Sequence, residues 1–85
     1  MYPAEEFNLL LKEADKKKLQ GEHIEAIKIC EQILVNDLEC VEAYEEIGDN
    51  YLSLRYYDKA KKALNRSLQL NPRSANGNYL LGFVF

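Results

Sequence analysis

The feature that most constrains this chain is that it resembles itself at an offset of 34 residues. At that offset Asp15 aligns with Asp49, Ala26 with Ala60, Lys28 with Lys62 and Leu34 with Leu68. Ala14 meets Gly48, another small residue, and Gly48 meets Gly82. The chain breaks align as well, Gly21 with Arg55 and Leu38 with Pro72. Charged matches arise easily in a chain so rich in charge. The small residues weigh more, because each marks a place where two helix backbones approach closely. Self-similarity at a fixed period of roughly 20–50 residues is the mark of stacked supersecondary units.

Within each period the apolar residues recur at helical steps. Pro3 suits a first helical turn, Glu5 and Glu6 follow at its positive end, and Lys16, Lys17 and Lys18 complement the negative end. Gly21 then stops the first helix, as a left-handed position prefers. From Ile24 to Val35, "IEAIKICEQILV" gathers Ile27, Cys30, Ile33 and Leu34 on one face. A third helix is expected from Val41 to Leu54, with Tyr44, Ile47, Gly48 and Tyr51 together, and a fourth from Asp58 to Leu70, with Ala60, Ala63, Leu64, Ser67 and Leu68. Asn71 precedes proline and leaves the helical region there. Ser74 is placed to cap a fifth helix, "ANGNYLLGFVF", whose glycines predict fraying at its free end. No stretch alternates with period two, so the chain is all-helical.

Composition bounds the rest. The 85 residues are 47% hydrophobic and 29% charged, room for one domain with a modest core. A net charge of −3 argues against a nucleic-acid surface. No apolar run approaches the ~18 residues of a membrane span. "MYPAEEFNLLLKEADKKK" lacks the pattern of a secretory signal, so a cytoplasmic location is expected by default. Cys30 and Cys40, with His23 the lone histidine, match no zinc or redox spacing. They read as free thiols, Cys30 on a buried helix face and Cys40 near a helix start. An intramolecular disulfide and an oxidised intermolecular contact through Cys40 are the alternatives.

Gly48 and Ala60 are expected to let the third and fourth helices cross closely. Tyr44, Ile47 and Tyr51 fill the flanks, Leu64 and Leu68 meet them, and Pro72 turns the chain for a following pair. With Tyr44, Ile47-Gly48, Tyr51, Ala60, Leu64 and Pro72 in place, residues 41–74 closely resemble a tetratricopeptide repeat. Residues 7–40 follow less completely. Leu10, Ala14, Gly21 and Ala26 agree, whereas Glu13, Lys17 and Leu38 replace an apolar residue, an aromatic and the proline. Such departures fit a terminal repeat with one solvated side. Residues 75–85 look like the first helix of a third repeat, with Leu81-Gly82 and Phe85 in place. The resemblance implies a single all-α domain over 1–85, a right-handed α-solenoid of about two and a half repeats.

It also implies a non-catalytic scaffold or adaptor that binds a peptide or protein segment in a groove lined by the first helix of each pair. The groove residues carried over are Asn8, Leu11, Asp15 and Lys18, then Glu42, Glu45, Glu46, Asp49 and Leu52, then Asn76, Tyr79 and Phe83. Glu42, Glu45, Glu46 and Asp49 fall at three- and four-residue steps and make one acidic stripe. That stripe either simply solvates an exposed face or forms a floor for a basic or mixed-charge segment. The acidic chaperone tails that some members of the family hold are not expected as partners, since Leu11, Asp15 and Glu46 stand where those members place lysines and asparagines. The open apolar end is expected to continue into a longer repeat protein. The competing expectation is a self-association module, a homodimer formed through Tyr79, Leu80, Leu81, Phe83, Val84 and Phe85, and folding back as a simple cap suits so apolar a segment poorly. Catalysis, a cofactor, nucleic acid and membrane are not expected, because no phosphate loop, metal spacing or nucleophile motif is present. Tyr56 and Tyr57 are expected to pack at the turn before the fourth helix.

Overall fold

The computed structural model describes residues 4–83 and, among them, five helices: α1 (Ala4–Leu19), α2 (His23–Asn36), α3 (Val41–Ser53), α4 (Tyr57–Leu70) and α5 (Ala75–Leu81). The bounds of α2, α3 and α4 agree with the periodicity to within a residue, whereas α5 ends at Leu81, short of the expected "ANGNYLLGFVF". Pro3, Val84 and Phe85 lie outside the described residues.

The repeat is written in the backbone itself. Gly21 (φ +80°) and Arg55 (φ +63°) both occupy the left-handed region, one at each aligned turn. Around Gly21, the Glu22 N–H donates to the Lys17 carbonyl at 2.8 Å and the Gly21 N–H to that of Lys18 at 3.0 Å. Around Arg55, Tyr56 donates to Tyr51 at 2.9 Å and Arg55 to Leu52 at 3.0 Å. This double closure satisfies the last carbonyls of α1 and α3 in the same way. The second turn repeats too. The Asp37 side chain accepts from the Glu39 N–H at 3.0 Å, and the Asn71 side chain from the Arg73 N–H at 3.3 Å.

Each helix packs on the next in sequence. Beyond that, α1 meets α3 and α3 meets α5, whereas no Cα of α2 comes within 8 Å of α4. The odd-numbered helices therefore form a continuous side, and the even-numbered ones are separated by a gap. The core runs through Ala14, Ile27, Cys30, Ile33, Cys40, Ala43, Ile47 and Ala63, with Phe7, Leu10, Leu11 and Tyr51 packed around it.

Three details of packing depart from the sequence expectation. The room made by Gly48 is taken by a side chain rather than a backbone: a Cβ there would stand 2.5 Å from both Cγ and Cδ2 of the fully buried Leu64. Gly82, aligned with Gly48, ends α5, and among the described residues a Cβ there would meet only the carbonyls of Tyr79 and Asn78. The close contact of α5 belongs instead to Gly77, where a Cβ would come within 3.0 Å of Ser67 Oγ and 3.2 Å of Leu68 Cδ2. Leu68 thus turns toward α5.

Both cysteines are free and buried. Burial pushes the Cys30 thiol up to about 12 and raises that of Cys40 as well. Neither a disulfide between them nor a surface contact through Cys40 fits this arrangement, and Cys40 joins the core alongside Cys30. Among the described residues, no helix is long and apolar enough to cross a membrane.

Candidate functional site

The continuous side is organised around Lys18, in the last turn of α1. Its ammonium lies 3.2 Å from Asp15 Oδ1 one helical turn earlier, 3.4 Å from Glu46 Oε1 and 3.0 Å from Asp49 Oδ2 on α3. Burial by itself would push this lysine down. The hydrogen bond to Asp49, the charge of Glu46 and the bond to Asp15 outweigh that and hold it above the ordinary lysine range. Glu46 titrates above the usual carboxylate range, because its burial is only partly offset by Lys18. Its Oε2 is buried without a hydrogen-bond partner.

Behind this cluster Asn50 is fully buried and tied at both ends. Its Nδ2 donates to the Glu46 carbonyl at 2.7 Å, which leaves Oδ1 facing His23 Nδ1 at 2.9 Å. An oxygen can only accept, so the hydrogen-bond pattern assigns the proton to Nδ1. His23 thereby pins the start of α2 to α3.

Further along, α3 and α5 enclose an open hollow of about 540 Å³. Asp49, Leu52 and Ser53 line it from α3, Tyr57 from the start of α4, and Asn76, Tyr79, Leu80 and Phe83 from α5 and its end. Tyr79 and Phe83 meet edge to face, with centroids 5.1 Å apart, and remain 66% and 60% exposed. Asp49 belongs to both the hollow and the Lys18 cluster, which makes one surface of the two.

The expected groove residues divide accordingly. Asp15, Lys18, Glu46 and Asp49 come together in the ionic cluster, and Asp49, Leu52, Asn76, Tyr79 and Phe83 around the hollow. Leu11 is half-buried against the core, and Asn8 is exposed on α1 away from both. The acidic stripe is broken up: Glu42 is exposed and accepts a weak bond from the Cys40 thiol, while Glu45 accepts the Ser74 hydroxyl. Ser74 in turn accepts the Gly77 N–H at 3.0 Å, so the N-cap of α5 is anchored to α3. Of the expected self-association residues, Tyr79 and Phe83 are exposed and Leu81 is half-buried. Leu80 is only 7% exposed and is spent on packing within the chain.

Tyr57 was expected to pack at its turn. Both tyrosines of the turn remain about half exposed, 51% for Tyr56 and 47% for Tyr57; Tyr56 lies with its centroid 6.2 Å from that of Tyr51, and Tyr57 also lines the hollow. Its alignment with His23, another residue that opens an even-numbered helix and reaches α3, was the available signal. Ser53 and the Ser74–Glu45 tie carried no comparable one. Among the described residues no group of His, Cys, Asp and Glu could hold a metal ion.

The profile of the family described as Tetratricopeptide repeat matches residues 41–74, which span α3, α4 and the N-cap of α5. No curated protein matches the chain.

Proposed function

Because residues 41–74 match the tetratricopeptide repeat family, whose members generally mediate protein–protein interaction, we propose that the chain is a non-catalytic cytoplasmic module that binds a peptide or protein segment along α1, α3 and α5. In this reading repeats 7–40 and 41–74, with the first helix of a third from residue 75, stack as a right-handed solenoid in one domain. The observation that carries it is the shared position of Asp49, which joins an ionic cluster and an aromatic-lined hollow into one surface across three helices. Three carboxylates, Asp15, Glu46 and Asp49, surround Lys18, and Glu42 and Glu45 add further negative charge on α3. The excess negative charge favours a basic or mixed-charge segment. Tyr57, Tyr79 and Phe83 offer apolar faces for an anchoring side chain. An acidic chaperone tail finds no cation here, since Lys18 is already held by three carboxylates.

The test is selection from a randomised peptide library on the full chain. Enriched sequences should carry Lys or Arg beside an apolar residue. Their affinity should fall about tenfold or more in Tyr79→Lys or Phe83→Lys, a loss of about 1.4 kcal/mol or more. Enriched peptides indifferent to both exposed substitutions would place binding elsewhere.

A second reading, self-association through α5, is favoured by the exposed Tyr79–Phe83 pair at the end of the described chain. Sedimentation equilibrium across a concentration series decides it. A dimer that dissociates on dilution and is lost in Phe83→Glu supports this reading, and a constant monomer mass eliminates it.

A further inference from the structure

The gap between α2 and α4 exposes a second cleft on the side away from the ionic cluster. It measures about 280 Å³, with Glu31 of α2 on one wall, Lys59, Lys62 and Arg66 of α4 on the other, and Tyr44 and Tyr51 of α3 between them. Ile47 and Ala63 complete its floor.

Lys59 and Arg66 are set apart by their aromatic partners; the lack of an ion pair they share, among the described residues, with Lys12, Lys16, Arg55 and Arg73. Lys17, Lys18 and Lys28 all pair with carboxylates. Among the described residues Lys59, Lys62 and Arg66 pair with none. Two of them are instead steadied by aromatic rings: Lys59 Nζ lies 5.7 Å from the Tyr51 centroid and 5.5 Å from that of Tyr56, and the Arg66 guanidinium lies 6.0 Å from that of Tyr44. A ring face attracts the cation without cancelling its charge and leaves N–H groups free to donate elsewhere. Arg66 spends one of them on Gln69. The result is a row of positioned, uncompensated cations beside a partly apolar floor.

We propose that this cleft docks an acidic amphipathic helix of a partner protein, its carboxylates toward α4 and its apolar edge on Tyr44 and Tyr51. Charge complementarity selects the acidic character, and spacing selects the helix. Positions 59, 62 and 66 advance about 4.5 and 6 Å along α4 at ~1.5 Å per residue, which is the rhythm of one helical turn per step. A helix laid alongside presents carboxylates at the same intervals. An extended segment repeats its faces every ~6.7 Å and falls out of step by the third charge. Nucleic acid suits the cleft less well, because cations already cover ring faces that would stack on bases, and Glu31 opposes a phosphate backbone.

The experiment uses the full isotopically labelled chain and a synthetic helical peptide with Glu at i, i+3 and i+7 beside a row of Leu. A matched peptide with Gln for Glu and a short single-stranded RNA serve as controls. Amide shifts should concentrate at Glu31, Tyr44 and Lys62. Affinity should fall about tenfold or more with the Gln peptide and in Lys62→Glu or Arg66→Glu. Both positions are exposed, and unchanged helical circular dichroism confirms that the variants fold. Tyr79→Lys, on the opposite surface, should leave binding intact. No binding of the acidic peptide, shifts centred on Asp49 and Tyr79, indifference to the charge reversals, or RNA bound as tightly as the peptide would each overturn the proposal.

Discussion

The two helical hairpins, α1–α2 and α3–α4, share a backbone and differ in how they fill it. Their turns place a left-handed residue at the same aligned position, Gly21 and Arg55, and close with the same pair of hydrogen bonds. Across that closure the first hairpin places an ion pair, Lys17 to Glu22 at 3.2 Å, where the second places the rings of Tyr51 and Tyr56. At the crossing, Ala14 and Cys30 in the first align with Gly48 and Leu64 in the second, and all the side chains present are fully buried. A larger residue on the even helix is matched by a smaller one on the odd helix. What repeats is the backbone path and this inverse relation of side-chain sizes at the crossing, and residue identity follows only loosely.

The largest expected effect tests that relation of sizes. Gly48→Ala drives a methyl into Leu64 and should destabilise the protein by about 3 kcal/mol in urea unfolding, whereas Ala14→Gly should cost about 1 kcal/mol, mostly helix propensity. Adding Leu64→Cys to Gly48→Ala recreates the first hairpin's pair. The double variant should be more stable than the sum of its two single losses by at least about 1 kcal/mol. Strict additivity would break the comparison.

This rule also explains what the sequence made legible. The helices, their breaks and the period followed from three- and four-residue apolar steps and from the small and turn-forming residues at aligned places. The Lys18 cluster was visible only as residues sharing a face, because a contact between α1 and α3 depends on how two hairpins stack. The Ser74–Glu45 tie and the burial of Gly77 were hidden for the same reason. Gly82 was misleading: its alignment with Gly48 promised a close crossing, but no even helix stands over it in the described chain.

Next in size is the clasp at the turn. Tyr51→Ala removes a half-buried ring packed on the core and should cost about 2 kcal/mol, while Lys17→Ala, its aligned counterpart, should change unfolding by no more than about 0.5 kcal/mol. Equal losses would mean that the ionic clasp carries the same weight as the aromatic one.

Lys18 joins the two hairpins, and Lys18→Met leaves three carboxylates facing one another. A loss of about 1–2 kcal/mol is expected at neutral pH, between the values for exposed and buried pairs. The sign of its pH dependence follows from Glu46, whose pKa is raised in the fold. Such a group favours folding fully below its unfolded value of about 4.3 and loses that contribution as pH rises through the folded value. The variant's deficit should therefore be greatest near neutrality and shrink on acidification. Lys18 itself, raised in the fold, keeps its contribution below about 10.4 and loses it only above. Unfolding curves at a series of pH values check both.

The smallest effects lie at the left-handed turns. Gly21→Ala should destabilise by about 1 kcal/mol, and Arg55→Gly should gain a few tenths of a kcal/mol, because relieved backbone strain is partly offset by a more flexible unfolded chain. Opposite signs at aligned positions would show that the two turns share one conformation despite their different residues.

The central claim is that the side formed by α1, α3 and α5 is the binding surface for a basic or mixed-charge protein segment. The most direct measurement is an amide chemical-shift map of the full chain titrated with a peptide bearing Lys and Leu. The account predicts perturbations that run from Lys18 through Asp49 and Leu52 to Asn76 and Tyr79, weakening as salt is added. Perturbations confined to α2 and α4, or none along α3 and α5, would contradict it.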